Sequence, residues 1–351
     1  VFSPRLIWHT FAVFHYALTW KRVVNFCKVV FSYGVSRLLR RPVVFGYPFV
    51  LMVEPTNFCN LRCPLCPSGA GQLTRPRGTM DLDNFKRLMD ELGEYLFLLM
   101  LWNQGEPFLN PHFLEMIEYA RSKKVPTITS TNGHFLNGLW QPGDIIRSGP
   151  DELIVSLDGA SPETYNRYRR GGNFDLVVDN LRRLCGEKRR LGSRTPIVHL
   201  QFLIMRHNEH EIGQIRELAR SIGVDKLSLK TVQVQSPEEA EIFLPREEKY
   251  SRYRFDRGSL KTKAELVNGC KHLWYSSVVN WDGSVVPCCF DKDGNYRLGN
   301  AFDSEGLRGI WQSGEYTRFR DLILHHRSAI PMCRNCTEGL KGLYYSIELL
   351  G

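Results

Sequence analysis

The first 53 residues contain no aspartate or glutamate, yet they hold Arg5, Lys21, Arg22, Lys28, Arg37, Arg40 and Arg41. This segment carries +7 of the net +9, so the other 298 residues stand at +2. Basic character therefore belongs to one end of the chain. No recognised nucleic-acid module accompanies it, and no nucleic-acid partner is expected. No run of about 18 apolar residues is free of charge, which argues against a transmembrane helix. A cleavable signal fits poorly, because His and Lys interrupt the first apolar run and no small-residue cleavage site follows it. There is no long-period repeat and no low-complexity tract. With 43% apolar and 24% charged residues, the 351-residue chain has room for one large domain and a smaller one. Evenly spread cysteines, as in a disulfide-built secreted fold, are also lacking: eight of the ten fall within 59–66 and 270–336. That distribution points to metal and to a reducing, cytoplasmic compartment.

Residues 1–48 read as one basic arm, of which 5–40 are rich in Trp, Phe, Tyr, Val and Leu between the basic residues. Trp8, Phe11, His15 and Leu18 recur at helical spacing, as do Val23, Cys27, Val30 and Phe31. Pro4 can start a helix and Gly34 can interrupt one. One reading is a helical arm packed on the body or on a second subunit. The other is a basic amphipathic helix, residues 1–41, in peripheral contact with an anionic membrane at the inner surface.

From Phe49 to Gln235 strands alternate with helices. Strands are expected at 49–53, 98–102, 127–130, 153–157, 197–205 and 226–232, and helices at 82–96, 112–124, 142–148, 174–191 and 210–222. Asp81 is placed to cap the first of these helices and Gly223 to end the last. The pattern argues a parallel α/β sheet with right-handed crossovers, whose chemistry sits at the carboxyl ends of the strands. The residues of chemical interest fall there: the cysteines after the first strand, Glu106 after the second, Asn132 after the third and Asp158 after the fourth. Residues 236–264 read as a linker, 265–341 as a small cysteine-rich domain and 342–351 as a tail.

The first cysteine group is Cys59-Asn-Leu-Arg-Cys63-Pro-Leu-Cys66. Three thiolates in eight residues cannot all pair with one another. They can ligate an inorganic cluster and leave one iron open; a zinc knuckle or three buried cysteines are the other readings. The C-x3-C-x2-C spacing after a strand resembles the signature of the radical S-adenosylmethionine (SAM) superfamily. The resemblance implies a partial (β/α)6 TIM-like barrel, a [4Fe-4S] cluster on Cys59, Cys63 and Cys66, and SAM chelated at the open iron. Reductive cleavage of SAM would then give a 5′-deoxyadenosyl radical that takes hydrogen from an unactivated C–H bond. Gly105-Glu106 resembles the family's Gly-Glu motif, which takes the SAM amino group. Ser130, Asn132, Ser156 and Asp158 match further SAM-contacting loops, and Arg169 lies where a carboxylate-binding arginine often occurs. Leu65 departs from the aromatic that many members carry before the last cysteine, which implies aliphatic packing on adenine. Singly, the Asn-Gly and Asp-Gly pairs are ordinary turn formers; it is their shared placement on one rim that matters.

The second group comprises Cys270, Cys288, Cys289, Cys333 and Cys336. Asp282-Gly283 between apolar runs predicts a hairpin that returns Cys288 toward the strand after Cys270. Cys270-x12-Gly283-x4-Cys288 followed by Cys333-x2-Cys336 resembles the SPASM auxiliary-cluster extension of radical SAM enzymes. The full extension has seven cysteines; with fewer here, one auxiliary [4Fe-4S] cluster on Cys270, Cys288, Cys333 and Cys336 is expected. Cys289 could replace Cys288, and a four-cysteine zinc site is the competing reading. Cys27 and Cys185 lie in helical apolar patterns and read as core. The resemblance further implies a flavodoxin or ferredoxin as reductant and a peptide, sugar or lipid-type substrate. The different class that stays open is an iron-sulfur electron carrier, or an inert scaffold with a structural four-cysteine site.

Overall fold

The computed structural model describes residues 15–134, 140–263, 266–336 and 345–350. The N-terminal helix is α1 (Trp20–Leu39). Six parallel strands follow: β1 (Val50–Val53), β2 (Leu98–Met100), β3 (Thr127–Thr131), β4 (Glu152–Ser156), β5 (Ile197–Ile204) and β6 (Lys226–Thr231). Between them run α2 (Leu82–Leu92), α3 (Phe113–Ser122), α4 (Pro142–Ser148), α5 (Phe174–Arg190) and α6 (Ile212–Ile222). The expected alternation thus forms, with element ends displaced by a few residues. Asp81 caps α2 by accepting from Asp83 N at 2.8 Å, and Gly223 ends α6 at φ 82°. Phe85, Leu88, Met89 and Leu92 of α2 are buried against the sheet, as their spacing requires.

Alternate strand residues divide the sheet into two faces. Leu51, Val53, Leu99, Leu153, Val155, Leu200, Phe202, Leu227 and Leu229 join the core under the helices. The register places Val50, Met52, Met100, Ile128, Ile154, His199, Lys226 and Ser228 on the other face, toward the barrel interior. There Glu152 meets Lys226 Nζ at 2.8 Å and His199 Nδ1 at 2.5 Å. Burial depresses His199, so its ring meets Glu152 as a neutral hydrogen-bonding partner, and Lys226 supplies the counter-charge.

The sheet is longer than six strands. The predicted Asp282-Gly283 hairpin forms between β9 (Ser276–Val279) and β10 (Ser284–Val286), and β9 pairs in parallel with β1. On the other side β11 (Tyr345–Leu349), within the expected tail, pairs antiparallel with β6. Trp274, Val279, Val285, Leu307, Trp311 and Tyr316 from the C-terminal region belong to the same core as the barrel. The stretch read as a linker carries α7 (Pro237–Phe243) and a hairpin of β7 (Tyr253–Asp256) and β8 (Ser259–Thr262). These pack on Leu61, Cys63, Tyr168 and Met205, forming an apolar cover over the first cysteine loop.

The arm departs most from its apolar pattern. Its helix runs through Gly34 to Leu39, and its buried residues are Arg22, Asn25, Val29, Ser32 and Ser36. Arg22, 2% exposed, donates to the carbonyls of Ala17 (3.0 Å), Gly93 (2.8 Å), Lys123 (3.0 Å) and Lys124 (2.6 Å). Asn25 bonds both backbone groups of Tyr47, while Ser32 and Ser36 accept from Phe45 N and Val43 N. The irregular backbone 42–49 and the ends of α2 and α3 present polar groups that must be satisfied, so the polar stripe turns inward. Val23, Val30 and Phe31 consequently face outward. Cys27 is exposed, which corrects its assignment to the core; Cys185 is buried. His15 and Leu18 are also exposed, and Trp8 and Phe11 lie outside the described residues.

Candidate functional site: two cysteine centres joined by the barrel

The chain leaves β1 at Glu54 and reaches Cys59 within five residues. Leu61 N donates to Cys59 Sγ at 3.5 Å, and Cys66 N to Cys63 O at 3.2 Å, so the loop curls around its own thiols. Burial pushes Cys59 up to about 12, and Glu106, Cys66 and Cys63 add to the rise. Burial also raises Cys63, against the opposing pull of Arg169. Crowded, buried thiols of this kind become thiolates when iron supplies positive charge.

Gly105 explains why the second strand ends in Gly-Glu. It sits at φ 79°, and a Cβ there would lie 2.5 Å from Thr56 O and 2.6 Å from Phe58 O. Only glycine lets the two loops touch, and Glu106 N then donates to Phe58 O at 2.7 Å. Glu106 is 2% exposed. Its carboxylate accepts from Thr131 Oγ1 (2.7 Å), Asn132 N (2.7 Å) and Phe108 N (3.3 Å). Burial outweighs these neutral donors and pushes it up to about 7.

The other rim residues converge on the same loop. Asn132 Nδ2 donates to Asn60 Oδ1 at 2.7 Å. Asp158, fully buried, accepts from Arg169 Nε at 2.6 Å and from Leu203 N at 2.8 Å. Arg169 in turn directs Nη1 to Cys63 Sγ at 4.0 Å. Burial alone would depress Arg169, but Asp158 and Cys63 raise it well above its ordinary value. Ser130 is half-buried on the interior face of β3, and Ser156 is buried at the end of β4. Leu65 is partly buried and packs with Leu61, Cys63 and Tyr168.

Sequence reasoning missed three parts of this site. Thr131 and Asn60 complete the bonds of Glu106 and Asn132. Glu54, fully buried, forms a bidentate ion pair with Arg75, with Nη1–Oε1 at 2.7 Å, and Arg75 Nε reaches Lys292 O at 2.7 Å. Trp281, at the hairpin turn, covers Gly78 and donates to Pro76 O at 3.3 Å. An acidic residue directly after an apolar strand was the available signal for Glu54; the others had none.

Cys270, Cys288, Cys289, Cys333 and Cys336 all line one cavity of about 340 Å³. Arg327 Nη2 lies 3.6 Å from Cys336 Sγ. Hydrogen bonding of its thiol to Cys289, then burial, holds Cys288 well above the usual thiol range, and burial pushes Cys333 up to about 12. Both adjacent cysteines reach the cavity. Val50, Met52, Leu98 and Met100, from the interior face of β1 and β2, line the same cavity. Among the described residues no three Cys, His, Asp or Glu side chains converge tightly enough for a single metal ion. A wider cavity, about 940 Å³, opens beside Asp151, Thr195 and Asp225, at the opposite strand ends from Glu106 and Asp158.

The model of the radical SAM superfamily matches residues 53–219, and that of the SPASM iron-sulfur cluster-binding domain matches 270–337. The chain is 23% identical over 327 residues to the tungsten-containing aldehyde ferredoxin oxidoreductase cofactor-modifying protein of Pyrococcus furiosus, covering 82% of this chain and 86% of the relative. It is 29% identical over 179 residues to mycofactocin maturase MftC of Mycobacterium tuberculosis, a match that spans 50% of this chain and 43% of that relative. The subtilosin biosynthesis protein AlbA of Bacillus subtilis is 24% identical over 85% of this chain and 69% of its own length. Among solved structures, SuiB of Streptococcus suis bound to S-adenosylmethionine superposes with a TM-score of 0.59 at 14% identity, covering 79% of this chain and 68% of SuiB. BtrN in complex with AdoMet and 2-DOIA gives 0.52 at 19% identity over 84% of this chain and 94% of BtrN. At those identities the structural likeness is one of fold. Two matched domains, a cysteine loop locked against Gly105-Glu106 and a second cysteine-lined cavity within the same core agree, and the chain belongs to the radical SAM superfamily as an enzyme of its SPASM type.

Proposed function

We propose that this enzyme modifies a peptide substrate held inside the barrel, between the Cys59–Cys66 loop and the C-terminal cysteine cavity. The observation that carries the reading is the single cavity shared by Met52, Met100 and the five C-terminal cysteines. It gives a group bound at those cysteines direct access to the barrel interior. The peptide class is supported by similarity to a protein named PqqA peptide cyclase, 26% identical over 53% of this chain, and to SuiB, solved bound to precursor peptide SuiA.

The family's cofactors are SAM and a [4Fe-4S] cluster, with further iron-sulfur ligation in the SPASM domain. When bound, these groups would supply one-electron reduction and cleavage of SAM, with the electron drawn from a flavodoxin or ferredoxin, abstraction of a hydrogen atom from a substrate C–H bond, and an acceptor for the electron the substrate gives up. The donor sets fit these groups, since each centre gathers buried and half-buried thiols with an arginine beside one sulfur. Cys59, Cys63 and Cys66 would hold three irons. Glu106 would accept from the SAM amino group, while Ser130, Asn132, Ser156, Asp158 and Arg169 complete its surroundings. The cover formed by Tyr168, Val232, Phe243 and Tyr253 keeps water from the loop. Cys270, Cys288, Cys333 and Cys336 would hold one auxiliary [4Fe-4S] cluster.

Anaerobically reconstituted enzyme with reductant and SAM, offered the short peptides encoded beside its gene, tests this reading. Peptide-dependent formation of 5′-deoxyadenosine with a mass change in the peptide is expected. Stimulation by a sugar or lipid, with no peptide modified, would overturn it.

A further inference from the structure

We infer that the outward face of α1 docks the enzyme on an anionic lipid surface, with the SAM-binding rim turned away from the bilayer. The inference is independent of the substrate reading. The polar residues that hold α1 to the barrel occupy one side only, and their opposite side is apolar: Trp20 is 81% exposed, Phe31 63% and Leu38 82%, with Val23 and Val30 between them. Phe45 extends this surface by stacking on Phe31 at 5.9 Å. Contiguous exposed apolar residues on this scale mark an interaction face.

Charge selects the occupant. Lys28, Arg40 and Arg41 flank the apolar face, are exposed, and enter no ion pair among the described residues. No acidic residue lies anywhere in 15–53, and Glu94, which pairs with Lys21, comes from α2's end. A second copy of this surface would bring cation against cation, and a neutral protein groove would leave those charges uncompensated. A surface of anionic headgroups over acyl chains satisfies both apolar and cationic parts. Among the described residues no helix is long and apolar enough to cross a membrane, so α1 lies in the interface plane.

Orientation follows from what α1 holds. Arg22 binds carbonyls just before β2 and β3, Asn25 binds Tyr47 just before β1, and Trp274, just before β9, donates to Ser36. The helix therefore underlies the amino ends of the strands, while Cys59, Glu106, Asn132 and Asp158 follow their carboxyl ends. Docking leaves the rim open to the aqueous side. A substrate would reach it from solution and not out of the lipid.

Flotation of the full-length protein with vesicles of equimolar phosphatidylglycerol and phosphatidylcholine, against phosphatidylcholine alone, tests the inference at ~50 mM salt. Binding confined to the anionic vesicles is expected. Replacing Lys28, Arg40 and Arg41 together by serine should weaken it about fivefold per cation, roughly a hundredfold in all. Phe31→Glu should abolish it while leaving substrate-free SAM cleavage and the thermal unfolding midpoint unchanged. Absence of flotation at low salt overturns the inference, as does equal binding to both vesicles. A concentration-dependent dimer in light scattering, dissociated by Phe31→Glu, would assign the face to a second copy and overturn it too.

Discussion

Glu106 is buried, and its three hydrogen-bond donors are all neutral. With its pKa pushed up to about 7, much of it carries a proton at neutral pH in the absence of ligand. If the SAM amino group binds there, it favours the carboxylate, so binding expels that proton. The sign follows: SAM affinity should rise with pH up to about 7, by as much as ~tenfold per unit, and level off above. Equilibrium binding from acid to neutral pH checks this, and Glu106→Gln should flatten the profile while weakening binding. The cysteines carry a separate prediction. Cys63→Ala should end SAM cleavage, and the variant lacking Cys59, Cys63 and Cys66 should retain roughly four irons per chain on the C-terminal set. Stoichiometric zinc in that variant, after anaerobic purification, would make the second centre structural.

At the scale of elements, α1 shows how tertiary demand inverts a helix. Its donors satisfy the carbonyls of Gly93, Lys123 and Lys124, just past the ends of α2 and α3, where the helical ladder has run out. Arg22→Ala would strand up to three acceptors, those of Ala17, Lys123 and Lys124, and should cost about 3 kcal/mol or more. Val23→Ala, one residue along but outward, should change stability by less than about 0.5 kcal/mol. Chemical denaturation of the pair separates the two faces. The hairpin turn at Trp281 makes a comparable demand on Gly78, where a Cβ would fall 2.3 Å from the indole ring. Gly78→Ala should therefore loosen the hairpin from the cysteine loop, and Trp281→Ala in the same chain should relieve part of the loss. A double-mutant cycle on thermal stability reads that coupling.

At the scale of the molecule, barrel and C-terminal region fold as one body. They share a continuous core, β9 extends the barrel sheet beside β1, and the buried Glu54–Arg75 pair anchors the loop after the first cysteines to the backbone at Lys292. Removing one partner of a buried ion pair leaves the other uncompensated. Arg75→Ala should thus cost roughly 3–5 kcal/mol and lower iron content at both centres, measurable by denaturation and metal analysis. The reverse arrangement, two regions melting separately with only one centre affected, would show that they are joined loosely.

Much of this was written locally. Cys59, Cys63 and Cys66 share one loop because eight residues permit nothing else, and Asp81 and Gly223 act at helix ends through their own side chain or backbone freedom. The six strands and their helices follow from hydrophobic period. What sequence alone could not decide depends on partners far along the chain. Val23, Cys27, Val30 and Phe31 lie on one helical stripe, but which stripe faces the barrel was settled by the unsatisfied backbone at 42–49 and at the ends of α2 and α3. Likewise, short segments at 253–262, 276–279 and 345–349 became strands only where a neighbouring edge or the cysteine loop offered a surface. Periodicity records that a side chain has a face; the polar groups waiting opposite determine which face is buried.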